Sequence, residues 1–264
     1  MMTLKTIIFD LDDTLLNDKK SVKTAFEKTC TYASEKYDVG VDELEEAVRE
    51  AARSLYQDYP IYDYTVLIGI NPFEGLWGTF DDPTPQFQQM KDIVPSYRAN
   101  AWTAGLKALG IDDAVFGAEL GERFVAERKV SPFLYEDTYA VLDALKGKYQ
   151  LVLLTNGAPS LQNLKLEITP ELVPYFDHII ISGDFGKGKP DASIFEHVMK
   201  VAGVTAEDGI MVGDNLMTDI LGSSRVGMRN VWINRENKVV DPSVVVPTHE
   251  VKSLTELLSL IETL

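Results

Sequence analysis

The sequence predicts an α/β fold, a parallel-sheet core interrupted by an inserted helical cap domain, and three observations predict it. An apolar run over residues 6–9 stops abruptly at Asp10, Asp12 and Asp13, as a strand buried on both faces does where it emerges from its sheet. The next run of comparable strand character comes only at 150–155, and the stretch between reads mainly as helix. From Pro132 onward, short apolar runs alternate with segments of helical period, the pattern of parallel strands joined by right-handed crossovers.

In chain order, the opening strand is followed by a helix over 20–37, where Val22, Ala25, Phe26, Thr29, Tyr32 and Ala33 recur at helical spacing. Helices over 42–59, 86–109 and 113–129 continue the insert, with breaks at Gly40, Pro60, Pro83, Pro85 and Gly110. Beyond Pro132 the expected order is helix 137–146, strands 150–155 and 178–182, helix 191–202, strand 209–213, helix 217–226 and strand 229–233. Residues 235–250 read as a polar, proline-punctuated loop with a short edge strand, and 253–263 as a last helix packing back on the core. The boundaries that follow are 1–16 and 132–264 for the core and 17–131 for the cap.

Composition bounds the function without choosing it. At 264 residues and 45% hydrophobic, the chain can bury a sizeable core. A formal charge of −16 and the lack of any basic cluster argue against nucleic acid as partner. The lone Cys30 excludes an internal disulfide framework and suits a reducing cytoplasm. With no signal-peptide pattern and no run of membrane-spanning length, a cytoplasmic protein free of the membrane is expected, as monomer or homodimer.

Chemistry concentrates at the strand ends, where open α/β sheets bind ligands. Asp10 and Asp12 are two apart, share one side of an extended segment, and repel unless a cation or proton compensates them. Residues 151–157 end a strand in Thr155, Asn156 and Gly157, which can turn a hydroxyl and backbone N–H groups toward an anion. Lys189 precedes Pro190, which gives the ammonium a defined direction. A further strand runs into Asp214, with Asp219 on the helix after it. Each feature has a plainer explanation as a turn, a solvated lysine or a helix cap. Jointly they supply metal ligands, an anion cradle and a cation in one chain, which coincidence does not explain.

In this ordered set the chain resembles the haloacid dehalogenase-like (HAD) hydrolase superfamily: Asp-x-Asp-x-Thr at Asp10 to Thr14, a strand ending in Thr155, then Lys189, then Gly-Asp-x-x-x-x-Asp from Gly213 to Asp219. It looks most similar to the branch with a helical (C1-type) cap, which includes phosphatases of nucleotides and of acylated sugar acids. The resemblance implies a Rossmann-like core and a Mg2+-dependent phosphatase of a small phosphorylated metabolite. By that resemblance Asp10 is the nucleophile, forming an aspartyl-phosphate, and Asp12 is the acid and base. Asp10, the Asp12 carbonyl and Asp214 would hold the metal, and Thr155, the Asn156 backbone and Lys189 the phosphoryl oxygens. Asp219 would bond a metal water or Lys189, or bind the metal directly, and Thr14 would buttress the loop.

Dehalogenases of the superfamily lack the acid two positions after the nucleophile, so Asp12 favours phosphate esters. A phosphomutase keeps the same motifs and stays open, as does, more remotely, a non-catalytic or phospho-acceptor protein. Substrate choice is expected in the cap. Arg98 and Trp102 share a helical face and are candidates for reading a second anionic group, or else a structural pair. The aromatic stretch from Tyr56 to Phe80 either lines a pocket or forms the cap's own core. Residues 17–19 and 129–132 are candidate hinges.

Overall fold

The computed structural model describes residues 4–264; residues 1–3, assigned to the core on sequence, lie outside the described residues. Contacts divide the chain into two compact units: residues up to Asn17 with Leu134–Gly157 and Thr169–Leu264, and Asp18–Phe133 with Ala158–Ile168.

The first unit is an α/β core. Its strands are β1 (Thr6–Phe9), β2 (Gln150–Thr155), β3 (His178–Ile181), β4 (Gly209–Gly213), β5 (Arg229–Ile233) and β6 (His249–Val251). They form one sheet in the order β3-β2-β1-β4-β5-β6, with every pair parallel. The inner strands β1, β2 and β4 are apolar along most of their length because both faces are covered, whereas the edge strand β6 is His-Glu-Val with Glu250 exposed. Ile8, Val152, Leu154, Ile180 and Met211 pack with Ile194, Phe195 and Val198 of the helix Ala192–Ala202. Their neighbours Ile7, Phe9, Leu151, Leu153, Ile210 and Val212 alternate onto the opposite face and are equally buried.

Register decides what the sheet presents at its edge. Phe9 stands opposite Leu153 on one side and Val212 on the other. Asp10 therefore leaves the sheet one residue beyond that level, and Thr155 and Asp214 two residues beyond it. The sequence order reverses between β1 and β4, the switch point at which such sheets open a crevice.

Two elements depart from the sequence expectation. Between β2 and β3 lie a helix, Pro159–Glu167, and a 3-10 segment, Pro170–Tyr175, where no helix is expected. Parallel strands need such a crossover; it was hidden because nine residues leave little room for periodicity, and Pro170 and Pro174 read as breaks. The expected helix 217–226 is instead a wide π turn, Leu216–Ile220, running into a short helix, Leu221–Arg225.

The second unit is helical, built from Asp18–Lys36, Val41–Gln57, Tyr62–Ile68, Pro72–Gly75, Pro85–Ala108 and Ala114–Lys129. Phe26, Tyr56, Trp77, Phe80, Phe87, Tyr97, Trp102, Phe116 and Phe124 fill its centre. Tyr59, Tyr62, Tyr64 and Phe73 pack against that centre, so the aromatic stretch is core. Glycines set the helix spacing: a Cβ at Gly105 would collide with Val48, and one at Gly117 with Thr103. Residues 158–168, placed with the α/β core on sequence, group with this unit. Leu161 and Leu164 join its apolar cluster. Ser160 donates to Asp82 from its N–H (2.8 Å) and its hydroxyl (2.6 Å), and Lys165 pairs with the buried Glu74 at 3.0 Å. No helix among the described residues is long and apolar enough to cross a membrane.

Candidate active site

Asp10 is the first residue past β1, and its N–H still donates to Val212 O at 3.0 Å, so its backbone keeps the strand direction. The chain then turns, with Asp13 in the left-handed region at φ 58 and both Leu15 and Leu16 donating to Leu11 O. That turn brings back Thr14, which is fully buried. Its hydroxyl donates to Asp10 Oδ2 at 3.3 Å and accepts the Asp214 N–H at 3.1 Å. One hydroxyl thus ties the two acids at the ends of neighbouring strands.

Lys189 is the centre of the arrangement. Its ammonium lies 2.6 Å from Asp10 Oδ1, 2.7 Å from Asp219 Oδ1 and 2.8 Å from Leu154 O. Asp10 and Leu154 accept hydrogen bonds from it, and Asp219 faces it as an ion pair. The lysine reaches this point because the side-chain amide of Asn156 grips its backbone. Lys189 N–H donates to Asn156 Oδ1 at 2.8 Å, and Asn156 Nδ2 donates to Lys189 O at 2.9 Å. Sequence reasoning assigned Asn156 by its backbone alone and missed this two-point clamp.

Burial sets the electrostatics. It pushes the Asp10 carboxyl up to about 6, against the opposing pull of Lys189 and with help from the Asp219 charge. Burial pulls the Lys189 ammonium down, but Asp10 and Asp219 outweigh it and hold it above its ordinary value.

Carboxylate oxygens of Asp10, Asp214 and Asp219 lie within 4.8 Å of one another. Two of these acids face the Lys189 ammonium, and hard carboxylate oxygens at this spacing fit a divalent cation such as Mg2+. The Asp12 carboxylate is not in that group; Asp12 is half-buried two residues beyond Asp10. Asp219 is fully buried, and its Oδ2 accepts the Asn215 N–H at 3.1 Å. Gly213 is needed beside it, since a Cβ there would run into the Asp219 carboxylate.

Thr155 is buried at the end of β2, with Asn156 directly after it. Gly157 turns at φ 143, but its N–H donates to Ser182 Oγ at 2.9 Å. The expected run of backbone N–H groups toward an anion therefore stops before Gly157. Ser182 carried no sequence signal of its own; it starts a short helix directly after β3.

Arg98 and Trp102, which the sequence leaves open between reading substrate and forming a structural pair, hold structural positions in the helical unit. Arg98 is 8% exposed and donates to Leu76 O (2.7 Å), Gly78 O (3.3 Å) and Glu122 Oε1 (2.9 Å), bracketing Trp77. Trp102 is fully buried against Phe26 and Phe124, with ring centroids 5.6 and 5.8 Å away. The i,i+4 spacing that made them a pair places both on the face turned to the unit's own core.

Residues 4–227 match the haloacid dehalogenase-like hydrolase family. The chain is 32% identical over 239 residues to a phosphoserine phosphatase of Thermus thermophilus, covering 90% of this chain and 92% of that protein. It is also 32% identical over 181 residues to N-acylneuraminate-9-phosphatase of Mus musculus, covering 67% and 73%. Among solved structures, the magnesium-bound HAD-hydrolase YfnB of Bacillus subtilis superposes with a TM-score of 0.69 at 23% identity, over 98% of this chain and 99% of that one.

Proposed function

This chain belongs to the haloacid dehalogenase-like hydrolase family, and from that premise we propose that it is a Mg2+-dependent phosphatase of small phosphate monoesters. The observation that carries the reading is the Lys189 ammonium held between Asp10 and Asp219, with an Asp214 oxygen in the same acidic group.

Asp10 attacks phosphorus, forms the aspartyl-phosphate and expels the alcohol, splitting the hydrolysis into two steps. Asp12 protonates the leaving oxygen, then removes a proton from the water that opens the acyl-phosphate. Lys189 compensates the phosphoryl charge as it shifts, and Thr155 and the Asn156 backbone orient the phosphoryl oxygens. Asp10, Asp214 and Asp219, with the Asp12 carbonyl, would hold the Mg2+, whose charge lets an anionic nucleophile approach an anionic ester. Asp12 favours phosphate esters over organohalides, and the named relatives are phosphatases.

The test is phosphate release from a panel of nucleoside monophosphates, sugar and sugar-acid phosphates, phosphoglycolate and phosphoserine, with Mg2+ and with chelator. Chelator-sensitive release concentrated on one chemical class is expected. Asp10→Asn should abolish turnover, a loss of about 10⁴-fold or more, while thermal unfolding stays cooperative. Appreciable turnover by that variant would refute the nucleophile assignment.

A further inference from the structure

Asp214 is held at both ends of its peptide backbone by side chains from elsewhere in the core. Its N–H goes to the Thr14 hydroxyl at 3.1 Å, and its carbonyl accepts the indole N–H of Trp232 at 2.8 Å. Trp232 lies on β5 opposite Gly213, so its indole reaches one residue further along the neighbouring strand. The side chain is 1% exposed. An indole nitrogen only donates, and a buried one left unpaired costs free energy, so this ring has a single productive orientation.

The ring also holds the rest of the turn. Ile220 and Val245 form one apolar cluster with Trp232, and Leu216, Leu221 and Val240 pack against it. Leu216 and Ile220 bound the π turn that carries Asp219. Gly213, immediately before Asp214, has no side chain with which to anchor the backbone. Thr14 and Trp232 therefore both bear on the aim of Asp214, one from each side of its backbone.

We propose that Trp232 is a positioning residue of the divalent-cation site, its indole N–H fixing the Asp214 carbonyl and through it the direction of the Asp214 carboxylate. The proposal rests on the metal-dependent reading above. A ligand held in place before the cation arrives loses less freedom on binding, so freeing it weakens binding and leaves the fold intact.

The deciding experiment follows thermal unfolding of the full-length wild type, Trp232→Phe and Val245→Ala across a Mg2+ titration. Trp232→Phe keeps a ring in the cluster and removes the donor; it should need about tenfold more Mg2+ for the half-maximal rise in Tm. Val245→Ala loosens the same cluster and keeps the donor; its ion-free Tm should fall while its Mg2+ midpoint stays within about twofold of wild type. Equal midpoints for wild type and Trp232→Phe overturn the proposal, as does a shift of similar size in Val245→Ala. A wild type whose Tm ignores Mg2+ would refute the metal-dependent reading itself, and the proposal with it. Should Trp232→Phe not fold, the ¹⁵N-labelled wild type decides. Its Trp232 indole N–H resonance, assigned by elimination with Trp77→Phe and Trp102→Phe, should move with Mg2+ at the midpoint of the Tm curve. A resonance that does not move overturns the proposal.

Discussion

Asp10 gives the site its pH dependence. Its folded-state pKa is about 6 against an ordinary 3.8, because burial disfavours the anion more than Lys189 supports it. Between those values the folded state binds the proton more tightly than the unfolded state does. The stability this carboxyl contributes is thus fully present below 3.8 and is lost as pH rises through about 6. A divalent cation held by this carboxylate, as proposed above, would compete with that same proton. The Mg2+ concentration at the midpoint of the Tm rise should climb as pH falls below 6, by up to about tenfold per pH unit. A midpoint constant from pH 5 to pH 8 would contradict the buried-carboxyl account. Asp10 and Asp214 were legible from residue type at a strand end, Lys189 from the proline that follows it, and Thr14 and Asp219 from their place in the ordered motifs of the resembled family. The Asn156 clamp, the Ser182 contact and the Trp232 bond were not, since their partners lie 33, 25 and 18 residues away and no local pattern links them.

Among the elements, the helix Pro159–Glu167 shows how a segment takes its allegiance from its side chains. It follows a core strand in sequence, yet its apolar face and its ion pair belong to the helical unit. Lys165 and Glu74 have side chains only 3% and 5% exposed, so removing one charge strands the other in a dry setting. Lys165→Met should lower unfolding free energy by about 3–5 kcal/mol in urea titrations. A loss under about 1 kcal/mol would mean that the pair is solvated in solution. The π turn Leu216–Ile220 makes the complementary point. Helical spacing from 217 onward was readable, but the extra residue per turn that carries Asp219 arises from packing on β4 and β5.

For the whole molecule, labour divides between two compact units with separate cores. The α/β unit holds every residue of the acid–lysine cluster. In the helical unit, Arg98 is committed to two carbonyls flanking Trp77. Arg98→Ala should therefore cost about 2–3 kcal/mol of stability by leaving buried carbonyls unpaired. It should also leave the ratio of kcat/KM between the best metabolite and an aryl phosphate unchanged. A selective loss on the metabolite would return Arg98 to substrate recognition.

The sequence by itself determined the α/β class, the helical insert and the order of chemical groups along the strand ends. These follow from hydrophobic period and from residue type at the point where a strand stops, and both are local properties. Tertiary structure decided which acids converge, what aims Lys189 and Asp214, that Arg98 braces a loop, and that residues 158–168 join the helical unit. Each of those outcomes is a contact between segments far apart in the chain, chosen by burial and by the need of every buried polar group for a partner.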